Sequence, residues 1–295
     1  MVFIYREVTV SGANQGIEGC SGVINEMTDL LVACGWSIED DRRDQPGTSN
    51  STTTHKVVLV NNGGETGTNP NWYLTIVSGT TTTINSNTVG LQVSTSYDVS
   101  AHFPFASGVA HPASTNPSSN RTFLCDSNGF TALFMSADKE GIAMITNYEG
   151  QDRYQVYAGR VDSFLGPELE PYGIAVHTLL QPNPTVVTYG IVGNPPQELS
   201  AAQDATTLTY LQTNLQQPRQ NLGQDEASWV AVPIMFVVQD SSPARKGAIG
   251  YFRNMFAMPV ETAGVPWIGR ATVSGTGQEF RVFSGTASSL ALRAS

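Results

Sequence analysis

The chain has 295 residues, of which 40% are hydrophobic and 14% charged, against roughly 25% charged in an ordinary soluble domain. Thr, Ser, Asn, Gln and Gly fill the gap, which excludes an ionically solvated disordered chain and argues against a helical bundle. Fifteen basic against 25 acidic residues give a net charge of −10, so no nucleic-acid partner is expected through a general grip on phosphates.

Residues 2–10 alternate loosely and predict a short first strand. Next comes the one strong helix pattern: Ile17, Cys20, Val23, Ile24, Met27, Leu30, Leu31 and Cys34 recur at spacings of three and four and share a face. Gly35 follows as a C-terminal stop. Glu18, Asn25, Glu26 and Asp29 lie opposite, where water keeps them, so the helix packs one side against a sheet. The run Glu39 to Asp44 reads as a solvated charge run, and 45–54 as a loop.

Beyond that loop the period becomes two. Residues 56–61 and 72–77 predict strands with a turn at Asn62-Gly63-Gly64, and 88–100 continues the β pattern. A Pro-, Ser- and Asn-rich stretch at 104–121 reads as a long surface loop. Residues 122–125, 130–135, 142–148 and 153–161 predict four strands of an antiparallel meander, with turns at 126–129 and at Lys139-Glu140-Gly141. Prolines punctuate 162–173 and 181–196, leaving 174–180 and 185–192 as strands. The Gln- and Thr-rich 198–224 fits either a weak helix or an exposed loop. From Ala227 to Val238 the chain is strongly apolar, and Pro233 implies an edge or bulge there. Stretches 247–258, 268–274, 279–284 and 289–293 complete the β pattern, with Gly275-x-Gly277 read as a hairpin turn.

The fold class expected is mainly β: an α+β N-terminal unit with one amphipathic helix over 1–165, then a β-sandwich or barrel-like unit over 166–295. Gly166-Pro167 and the prolines near 195 are both candidate joints. No window reaches the roughly 18 apolar residues of a membrane-spanning helix, so no membrane span is expected. Met1 to Glu7 shows no basic segment leading into an apolar one, so no signal peptide is expected.

Chemistry-bearing patterns are sparse. Cys20, Cys34 and Cys125 fall in no metal-ligand spacing and read as small buried hydrophobes. His55, His102, His111 and His177 are scattered, so no metal or other cofactor is expected. Glu168 and Glu170 form the one carboxylate pair to weigh for glycoside cleavage, and in a Pro-bounded loop they read as solvated. No catalytic, cofactor-binding or metal-binding residue is assigned. Trp36, Trp72, Trp229 and Trp267 each sit beside a strand among apolar neighbours and read as core or interface aromatics. With exposed indole faces they would instead form a sugar-stacking platform.

Trp36 after a Gly-stopped helix, then an acidic segment and KVVLVNN with GGETG, resembles the opening of structural proteins in tailed-bacteriophage virions. The run RYQVYAGRVDSFLGPELEPY and the ending WVAVPIMFVV, RKGAIGYFRNMF, EFRVF and SSLALR are similar to later segments of such proteins. The likeness covers the helix-to-meander half and the last 70 or so residues. It implies a non-enzymatic component of the tail, baseplate or neck, assembled in the bacterial host cytoplasm. Its partners would be other virion structural proteins and further copies of itself, as a homo-oligomer. Low charge and long polar loops suit such contacts. Two other readings stand beside it: a fibre or adhesin module that binds a host-surface glycan or receptor, and a virion-associated glycan hydrolase.

Overall fold

The computed structural model describes residues 2–9, 19–44, 56–67, 71–78, 88–94, 96–102, 121–124, 132–147, 154–163, 172–178, 187–192, 197–202, 232–239, 246–258, 268–272, 276–284 and 289–295. The protein is mainly β, as its composition implies, with a curled antiparallel sheet, a second smaller sheet and one helix between them.

The smaller sheet runs in the order β2 (Ser37–Asp41), β3 (Lys56–Val60), β4 (Tyr73–Ser78), β5 (Thr88–Ser94), β6 (Arg121–Leu124). The larger one follows β1 (Ile4–Thr9), β7 (Ala132–Asp138), β8 (Gly141–Asn147), β9 (Tyr154–Ser163), β14 (Lys246–Met258), β17 (Ser289–Arg293), β16 (Glu279–Ser284), β15 (Ile268–Thr272). β10 (Tyr172–Thr178), β11 (Val187–Val192) and β12 (Gln197–Ala202) branch from β9, and β13 (Val232–Gln239) pairs with β14. Hydrogen bonding runs across the 165/166 joint, because β9 pairs with both β10 and β14.

Helix α1 (Gly19–Ala33) forms where the three-and-four spacing placed it. Gly35, at φ +100°, ends it with paired bonds: Trp36 N–H donates to Leu31 C=O at 3.1 Å and Gly35 N–H to Val32 C=O at 2.9 Å. That geometry is a Schellman stop, which needs a left-handed residue at Gly35. The helix lays Val23, Ile24, Met27, Leu30, Leu31 and Cys34 against both sheets. Arg6 of β1 holds its rim through Glu26 at 3.2 Å.

Two cores result, and they share one wall. Strands β7, β8 and β9 alternate strictly: Leu133, Met135, Ile142, Met144, Val156 and Ala158 face α1 and the smaller sheet. Their neighbours Phe134, Ala143, Ile145, Tyr157 and Val161 face inward to the curl, with Phe252, Met255, Phe283, Leu290 and Leu292. A sheet covered on both faces reads as unbroken apolar runs, which is why these segments are so legible. The curl brings β16 over β7, where Phe134 and Phe283 meet edge to face at 4.9 Å. Arg281 of β16 then pairs with Glu7 of β1 at 2.5 Å.

Three expectations need correction. The expected four-strand meander has three strands, β7 to β9; its first strand, β6, pairs with β5 in the other sheet. The acidic run after Trp36 is no solvated stretch throughout, since β2 is an edge strand with Asp40 turned inward. A register shift between Ile38 and Asp40 makes that turn, as bulges re-aim side chains. Residues 197–202 of the ambiguous Gln/Thr-rich segment form β12, and the rest of that segment lies outside the described residues. Pro233 does mark a bulge, with the register shifting between it and Met235.

Candidate functional site

Charged side chains gather in two places. The first lies where the β3–β4 turn, the β7–β8 hairpin, β9 and β14 converge. Asp138 closes the hairpin: its Oδ1 accepts from Glu140 N–H at 2.8 Å and Gly141 N–H at 3.1 Å. Its Oδ2 accepts from Asn254 Nδ2 at 2.8 Å and Arg253 Nε at 3.3 Å. Arg253 also reaches Glu65 at 2.5 Å and Asp162 at 2.7 Å. Burial alone would lower this guanidinium, yet Asp138, Asp162 and Glu65 outweigh it and hold it above its ordinary value. Burial in turn raises the Glu65 carboxyl, an effect Arg253 only partly offsets.

Next to it, the Glu140 carboxylate is almost wholly buried and accepts from Glu65 N–H at 2.7 Å and from Arg160 at 3.4 Å. The turn folds so closely around it that a Cβ on Gly64 would collide with the carboxylate. Tyr157 stands below: its hydroxyl donates to Arg160 C=O and accepts from Arg253 N–H at 3.3 Å. Burial pushes that phenol well above its ordinary range, so it stays a donor. Buried carboxylates persist only when paired and hydrogen-bonded. Here the pairing crosses from one sheet to the other, so the cluster works as a latch between them.

The second cluster sits on the β2–β3 edge. Asp40 Oδ2 accepts from Tyr97 OH at 2.6 Å and from His102 Nδ1 at 2.9 Å. Arg42 Nη1 lies 3.0 Å from His102 Nε2. Lys56 Nζ donates to His102 C=O and stands 5.3 Å from the centre of the Tyr97 ring. Burial lowers the Lys56 ammonium to about 8, despite the Asp40 charge that favours it. Burial and the Asp40 hydrogen bond together drive the Tyr97 phenol upward. An Asp–His pair activates a nucleophile when the free ring nitrogen faces a hydroxyl or thiol. In this pair that nitrogen faces Arg42, so the arrangement holds chain segments together and prepares no attack.

No protein-family model matches the chain, and no curated protein matches it. Among the described residues no helix is long and apolar enough to cross a membrane, and no group of three or more His, Cys, Asp or Glu could hold a metal ion.

Of the four tryptophans singled out, Trp36 and Trp72 lie in the core shared by α1 and both sheets, 3% and 4% exposed, so neither offers a face to a sugar. Trp36 Nε1 donates to Asp138 C=O at 3.1 Å, tying the helix exit to the latch hairpin. Trp229 and Trp267 lie outside the described residues, as do Glu168, Glu170, His55, His111 and Cys125. Cys34 is a free, buried thiol that burial, then the Asp138 charge, push up to about 11. Sequence reasoning did not find Arg253, Asp138, Glu65, Asp40 or the role of His102. The signal present was an isolated charge inside each apolar run, such as Arg253 within GYFRNMF.

Proposed function

We propose that this chain is a non-enzymatic structural component of a tailed-phage virion, in the tail, baseplate or neck. It acts through symmetric contacts with its own copies and with other virion proteins. The observation that carries the reading is how charge is used. Both charged clusters among the described residues spend their carboxylates on arginine, histidine and backbone partners that join one element to another. Sheet edges support it as well: β1, β2, β6 and β15 each pair with a single strand among the described residues. Open edges invite pairing unless something covers them, and neighbouring copies are the covers an assembly provides.

The test is mass spectrometry and electron cryo-microscopy of purified virions from the phage that encodes the chain. The expected result is the chain in many symmetry-related copies, in contact with one another. Its absence from the particle would overturn the reading.

A further inference from the structure

Segment 96–102 leaves β5 and is held on β2 and β3 by side chains. Asp98 Oδ1 caps its turn, accepting from Ser100 N–H at 2.8 Å and Ala101 N–H at 3.1 Å. Tyr97 and His102, at its two ends, meet on one oxygen of Asp40. His102 takes a left-handed backbone, φ +52°, which is uncommon for a residue with a side chain and points to a position fixed by its surroundings.

The ring's proton position follows from its neighbours. A guanidinium has donors and no acceptor. With Arg42 Nη1 at 3.0 Å, His102 Nε2 must accept, so the single ring proton sits on Nδ1 and is donated to Asp40. The groups facing the ring are Asp40 of β2, Arg42 just beyond it, Lys56 of β3, and Tyr97 and Asp98 of its own segment. A proton added at Nε2 removes the only acceptor Arg42 has there and sets two cations side by side. The contact to Asp40 survives as an ion pair. Histidine is the side chain whose charge ordinarily changes between pH 5 and 8.

We propose that His102 is a proton-operated clasp: neutral, it bridges Asp40 and Arg42 and closes segment 96–102 onto the sheet edge, and protonated, it keeps Asp40 and expels Arg42. Acidification thereby loosens the segment without unfolding the sheets. This inference stands apart from the assembly reading and survives its failure.

Two measurements on the full chain test it. Nitrogen-15 NMR of the His102 ring at about pH 8 should show the proton on Nδ1; a proton on Nε2 overturns the proposal. Hydrogen exchange, corrected for its intrinsic pH dependence, should show protection of 96–102 falling about tenfold more than that of β7 to β9 as pH drops from about 8 to about 5, the worth of one hydrogen bond to a charged group. In Arg42→Gln the side-chain amide can donate or accept, so that excess fall should shrink to less than about twofold. In His102→Gln it should vanish. An equal fall in His102→Gln, or none in the unaltered chain, overturns the proposal. Should His102→Gln fail to fold, the ring tautomer of the unaltered chain decides alone.

Discussion

Arg253 is the residue on which most depends, because one guanidinium answers carboxylates from the β3–β4 turn, the β7–β8 hairpin and β9. Removing one partner from a buried pair costs about 3–5 kcal/mol, since the charges left behind lose both water and partner. Arg253→Met is therefore expected to lower unfolding free energy in urea by that amount. Arg253→Lys should recover only part, because an ammonium is a point charge and cannot fork to three acceptors. Trp36→Phe keeps the ring in the core but orphans Asp138 C=O, so a loss of about 1–3 kcal/mol is expected by the same measurement.

Lys56 makes a prediction about pH. Its folded value, about 8, lies below the model value of 10.5. The unfolded chain therefore binds more protons between those two values, and stability rises with pH through that window. Below about 8 the cost of burying the cation is fully present. The stability of the unaltered chain relative to Lys56→Met should thus rise between pH 8 and 10.5, by on the order of 1 kcal/mol after allowance for partial solvent contact. A flat difference would show the ammonium to be solvated.

At the scale of elements, the three central strands tolerate no added bulk where β8 meets β9. Gly141 and Gly159 face each other in the ladder, and a Cβ on either would run into the other's backbone. Gly159→Ala is expected to cost at least about 1–3 kcal/mol, because backbone on both strands has to shift. Gly35→Ala should cost about 1 kcal/mol through its left-handed φ alone. Thermal unfolding of the two variants ranks them, with Gly159→Ala the worse.

These elements were largely legible beforehand, and the reasons are local. Helix α1 carries its apolar spacing and its stop within 20 or so contiguous residues, and β7 to β9 alternate between two buried faces over short turns. What could not be read is what depends on distant pairing. β6 looks like the start of the meander until its partner is known to be β5. Asp138 and Arg253 lie 115 residues apart, and nothing in either neighbourhood announces the other. Asp40 sits in an acidic run whose neighbours are exposed, and only the bulge in β2 distinguishes it. The clusters were hidden for this reason, while the core tryptophans Trp36 and Trp72 were not.

Across the whole molecule, the shared wall of β7 to β9 couples the two cores, and the Arg253 latch couples the sheets a second time. One cooperative loss of structure in β3–β4, β7–β9 and β14 is the expected result of hydrogen exchange under mild denaturant. Such a rigid body, poor in charge and open at several strand edges, suits a part that is used by being fitted against others. Native mass spectrometry of the full chain across micromolar concentrations tests that most directly. The account predicts symmetric multimers, or binding to other virion proteins presented with it. A strict monomer at every concentration, indifferent to those proteins, would contradict it.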